Sequence, residues 1–201
     1  PEQVMRRPHL LLSDRRAVAT TEFAIIGPTL IFLIMGFIEF AWVASARSAL
    51  ESAVMRGARA IAASDCPSRR EQQMRDLVVL GMSHVRASDG QPPTISAKAY
   101  GSRFGDVGEP EPFIDVGSMN GRYDLGESFT DVNGNGQWDT DMGRSGSVGA
   151  AGQIVSYSAS FRVEPLIPFI PQMFGGGDHY PISASTVIRN EPVFRTTGCP
   201  V

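Results

Sequence analysis

The sequence predicts an α+β fold: a long N-terminal membrane-crossing helix, then a small head made of a second helix and a three-stranded antiparallel sheet. Three observations predict it. Residues 23–44 are an almost unbroken apolar run, from Phe23 through IEFAWVA. Apolar residues then recur three or four apart to Ala63, which is helical spacing. Three later stretches alternate with the period of a strand.

The apolar run is about 33 Å long as a helix, enough for a hydrocarbon core of about 30 Å. Gly27, Pro28 and Gly36 interrupt it, as membrane helices tolerate. The small residues stand before the run, whereas a cleaved secretory signal carries them after it. Arg15 and Arg16 precede it, which points the N-terminus into the cytoplasm and the head outward. Beyond the run, Val43, Ala46, Leu50, Val54, Gly57 and Ile61 form one stripe, so one helix is expected over residues 18–63. Asp65, Cys66 and Pro67 end it.

Residues 64–201 form the extracytoplasmic head. A shorter amphipathic helix is expected over residues 68–87, burying Met74, Leu77, Val78, Met82 and Val85, with Ser68 and Glu71 spaced as a capping box. Strands are expected at Thr94–Tyr100, Gln153–Val163 and Tyr180–Phe194, and Pro165–Gly177 reads as an apolar, Pro-punctuated loop. Residues 101–150 are an acidic, Gly-rich insertion; Asp106 to Asp141 holds nine acids against Arg122 alone. A loop of that length needs something to hold it. Within it, Asp131, Asn133, Asn135 and Asp139 stand at positions 1, 3, 5 and 9 of a calcium loop. Gly136 takes the turn position and the Gln137 carbonyl position 7. Position 12 is Met142, so Asp141 or Glu127 is expected to complete a structural calcium site.

With 201 residues and a net charge of −3, the chain has no basic surplus to hold nucleic acid. Its three histidines, His9, His84 and His179, have neither metal nor triad spacing, and no phosphate loop or nucleophile motif is present. No enzymatic activity is expected. Outside the cytoplasm Cys66 and Cys199 can pair, a closure worth about 3–5 kcal/mol by chain entropy.

The N-terminal third resembles the TadE-like proteins of tight-adherence pilus assembly. The resemblance rests on Asp14-Arg15-Arg16, ATTEF at Ala19–Phe23, GFIEF at Gly36–Phe40, ALESAVMRGARA at Ala49–Ala60 and, more weakly, STVIRNEP at Ser185–Pro192. It implies a pseudopilin cut by a prepilin-type peptidase before the apolar run, with a glutamate fifth in the mature chain. Here that cut falls between Ala17 and Val18, making residues 1–17 a cleavable basic leader and Glu22 the fifth residue, with alanine where the family has glycine. The new amino terminus can neutralise Glu22 in an apolar bundle, where a lone carboxylate is costly. Glu22, Phe23 and Glu39 are then assembly residues. Glu39 sits at outer headgroups beside Trp42 or pairs with an arginine of another subunit. The implied function is a minor pilin that initiates, caps or joins a pilus. Its partners would be pilin-like subunits, an inner-membrane platform, the peptidase and membrane lipid. The alternative is a membrane-anchored exported binding protein with a calcium-ordered head.

Overall fold

The structure is a computed structural model and describes residues 15–62, 67–117, 119–173 and 176–191. Helix α1, Arg15–Ala62, runs through Pro28 without a break, about 72 Å at the standard rise. Helix α2 is Pro67–Gly81, strand β1 Thr94–Ala99, β2 Arg144–Ser145 and β3 Ile154–Val163. Helix α3 is Phe169–Met173 and strand β4 Tyr180–Arg189. The sheet is antiparallel with order β2-β1-β3-β4.

The sheet therefore has four strands where the sequence predicts three. The additional strand is two residues long and pairs Arg144 with Ala99 and Ser145 with Lys98. Two residues carry no readable alternation, and these lie in a Gly-rich stretch. The second helix also ends at Gly81, short of residue 87, and a tight turn follows in which the Val85 amide donates to the Met82 carbonyl. The Pro-punctuated loop contains α3.

Period two in the strands and 3.6 in the helices converge on one core. Val155, Tyr157, Ala159 and Ile182 face Leu50, Val54 and Ile61 of α1, Met74 and Val78 of α2, and Met82 just after it. Leu77, expected inside, is 37% exposed. Full burial of Leu50 or Ile61 contributes roughly 1.5–3 kcal/mol each. The helices approach closely: a Cβ on Gly81 would lie 2.6 Å from Ala53 Cβ, and one on Gly57 2.8 Å from Met74 Sδ. The outer face of the sheet is hydroxylated, with Thr94, Ser160 and Ser183 in one cross-strand row and Ser96, Ser158 and Ser185 in the next.

The head closes on the stem at two places. After β4, the Glu191 amide donates to the Ala62 carbonyl at 3.1 Å. Beside it the buried Asn190 side chain donates from Nδ2 to the carbonyls of Val148 and Ala150 at 2.9 and 3.1 Å. At the other end, the segment after β3 folds back onto α1 around Glu39. Cys66, Cys199 and the Ser68 side chain lie outside the described residues.

Candidate functional site

The apolar half of α1 is left bare by the head. Phe23, Ile25 and Phe40 are 73%, 75% and 73% exposed, and Glu22 is exposed beside Phe23. This helix is long and apolar enough to cross a membrane, with almost none of its apolar window buried. Ala17 and Val18 belong to its helical backbone; their side chains lie outside the described residues.

Glu39 behaves differently. It is buried, and its two carboxylate oxygens accept the backbone N–H groups of Leu166 and Ile167 at 3.1 and 2.9 Å. One turn on, the Trp42 indole N–H donates to the Glu164 carbonyl at 3.1 Å. Two turns earlier than Glu39, the Phe32 ring meets Phe169 of α3 at 6.4 Å. Burial and the Glu39 carboxylate together raise the Tyr180 hydroxyl's pKa. The acid within the apolar run thus clamps the Pro-punctuated segment to the stem.

The acidic insertion is an internal duplication. Glu111-Pro-Phe-Ile-Asp115 is repeated by Glu127-Ser-Phe-Thr-Asp131, and Asn120-Gly-Arg-Tyr-Asp124 by Asn135-Gly-Gln-Trp-Asp139. The geometry repeats with it. In the second loop Asp131 accepts the amides of Gly134 and Gly136 at 2.6 and 2.8 Å, and Asn133 and Asn135 donate to Asp139. In the first, Asp115 accepts the Gly121 amide at 2.6 Å and Asn120 donates to Asp124 at 3.0 Å. The first loop is one residue longer, and Met119 (φ 44°) stands in the left-handed conformation that Gly134 (φ 80°) takes in the second. The amides of Gly136, Gly134 and Asn135 hold the Asp131 carboxyl below the usual carboxylate range.

Each half supplies the glutamate that serves the other loop. Glu111, with no exposed surface, accepts the amides of Val132, Asn133 and Asp139 at 2.7, 3.2 and 3.2 Å. Glu127 accepts those of Val116 and Asp124, both at 2.9 Å. Phe113 and Phe129 form a bridge between the halves. Tyr123 stacks on Trp138 at 4.6 Å and 12°, and the two phenylalanines meet these rings edge-on. Four aromatic rings are therefore the insertion's own core.

Asp141 stands apart from this pair. It takes the Lys98 ammonium at 2.6 Å and the Tyr100 hydroxyl at 3.3 Å, fixing the insertion to β1. Burial opposes its charge, but hydrogen bonds from Lys98, the Gly143 amide and Tyr100 outweigh that and lower its pKa. Burial and the same carboxylate push Tyr100 up to about 12. The acid brought to the Asp131 loop is Glu111, which sequence reading within the loop did not reach. Its signal was the repeat itself. Among the described residues no three His, Cys, Asp or Glu side chains converge as a metal group. The Asp131 loop would thus offer Asp131 and Asp139 with asparagine and main-chain oxygens.

The family described as TadE-like protein matches residues 17–59. No curated protein and no solved structure matches the chain. The matched segment contains Glu22, Phe23, Glu39 and most of the part of α1 that packs on α2 and the sheet, Ile61 lying beyond it. By this match, the stretch of α1 that carries both the bare apolar surface and the Glu39 clamp is similar to the TadE-like family.

Proposed function

We propose that the protein is a minor pilin or pseudopilin of a tight-adherence pilus. It enters the membrane by α1, with its N-terminus cytoplasmic and its head outside, and joins other pilin-like subunits to initiate, cap or extend the filament. The observation that supports this is the exposed apolar half of α1 with Glu22 at its start, inside the TadE-like match. A side-chain surface of that kind has two favourable environments, acyl chains and the same surface on another subunit. Release from the bilayer into a bundle exchanges one for the other. In this reading a prepilin-type peptidase cuts between Ala17 and Val18, and an inner-membrane platform drives assembly. Cys66 and Cys199 pair outside the cytoplasm.

The test is the N-terminal residue of the protein isolated from its native membrane, by mass spectrometry. A chain beginning at Val18 is expected. A chain retaining Arg15 and Arg16 overturns processing and leaves a tethered exported binding protein as the better account.

The insertion suits a structural calcium site at Asp131, Asn133, Asn135, the Gln137 carbonyl and Asp139, with Glu111 beside it in place of Asp141. Calcium takes six to eight hard oxygens, and short Asp and Asn side chains at alternate positions can supply them. Calcium is expected to raise the melting temperature of the full chain, and Asp131→Ala to abolish the rise. An equal rise in that variant would remove the site from this loop.

A further inference from the structure

We infer that residues 165–173 form a second membrane-contacting element, a wedge of the head that enters the head-side leaflet beside α1 and takes lipid acyl chains as its partner. The inference rests on α1 crossing the bilayer as proposed above. Its first support is depth. From Arg16 to Glu39 the helix rises about 34 Å, matching a hydrocarbon core of about 30 Å. That places the boundary at Glu39 and Trp42, the latter an interfacial residue by preference. Phe32 lies seven residues below Glu39, about 10 Å deeper, and there it meets Phe169. If the bilayer ended below Phe169 instead, leaving it in water, the helix from Arg16 to Phe32 would rise only about 24 Å, too short to cross.

The second support is chemical. Pro165 to Gly177 carries no charge; Leu166, Phe169 and Met173 are 53%, 43% and 60% exposed, and Phe169 adjoins Phe32 of α1. Irregular backbone at membrane depth has to satisfy its polar groups within the protein. Here Pro165, Pro168 and Pro171 have no N–H to satisfy. Those of Leu166 and Ile167 end on Glu39, and that of Ile170 on the Ile167 carbonyl at 3.1 Å. The buried carboxylate of Glu39 is what allows a turn of backbone to sit where water is scarce.

The full chain is reconstituted in phosphatidylethanolamine–phosphatidylglycerol vesicles, with a benzophenone-bearing phenylalanine in place of Met173, Leu33 or Ser183 in turn. After irradiation, adducts are identified by mass. Leu33 reports whether α1 crosses the bilayer; no lipid adduct there defeats the membrane reading itself. With lipid captured at Leu33, a comparable lipid yield at Met173 and none at Ser183 is expected. Lipid at Leu33 but not at Met173 overturns the wedge, as does equal lipid capture at Ser183. Capture of a second copy from Met173 in place of lipid also overturns it and makes the segment a contact between subunits.

Discussion

Glu111→Ala is expected to unfold the insertion while α1, α2 and the sheet stay folded. The glutamate has no exposed surface and accepts three amides of the opposite loop. Truncation leaves those part-buried donors without their acceptor, at the low end of about 1–3 kcal/mol each, so about 3 kcal/mol falls on a module with only four rings as its core. The near-UV circular dichroism from the Tyr123–Trp138 stack should collapse with the far-UV helix signal retained. Glu111→Gln keeps one acceptor oxygen and should recover part of the signal. An intact near-UV spectrum in the alanine variant would show that the rings alone hold the halves together.

Glu39→Ala should loosen the head at its membrane end without unfolding it. Two amides lose their acceptor, a cost of about 2–4 kcal/mol for partly buried donors. Amide exchange at Leu166 and Ile167 should accelerate by orders of magnitude in the full chain in detergent, while Leu50 and Val155 in the core keep their protection. Glu39→Gln, which retains an acceptor, should lie between. Equal exchange in all three proteins would mean that the Trp42–Glu164 bond and the Phe32–Phe169 contact suffice to hold the segment.

The stem was legible because two independent periodic signals overlap in it: a continuous apolar run and then a 3.6-residue stripe ending at Ile61. The positions Ala46, Leu50, Val54 and Ile61 are buried as that stripe requires. Strand β2 was not legible, since Arg144 and Ser145 are held by pairing with β1 and by nothing in their own pattern. Glu39 was visible as an acid in an apolar helix, but its partners are backbone amides, which have no sequence signature, and they stand more than a hundred residues away. The duplication was hidden by its one-residue offset and by Pro for Ser and Tyr for Trp between the halves. A motif search confined to residues 131–142 looks for the missing acid downstream, whereas Glu111 stands twenty residues before Asp131.

The insertion enters and leaves the sheet at one spot. The Tyr100 amide donates to the Ile154 carbonyl at 2.8 Å and the Ile154 amide to the Gly101 carbonyl at 3.0 Å, so β1 and β3 are already joined at its base. Inside, the Met142 amide reaches the Glu109 carbonyl at 2.9 Å, bringing its two ends together. Such an arrangement is a cassette on a hairpin. Because each half depends on the other's glutamate, it can be gained, lost or exchanged only whole, and a short turn in its place would leave the hairpin closed. The insertion can therefore change as a unit while the sheet and α1 beneath it keep their own contacts.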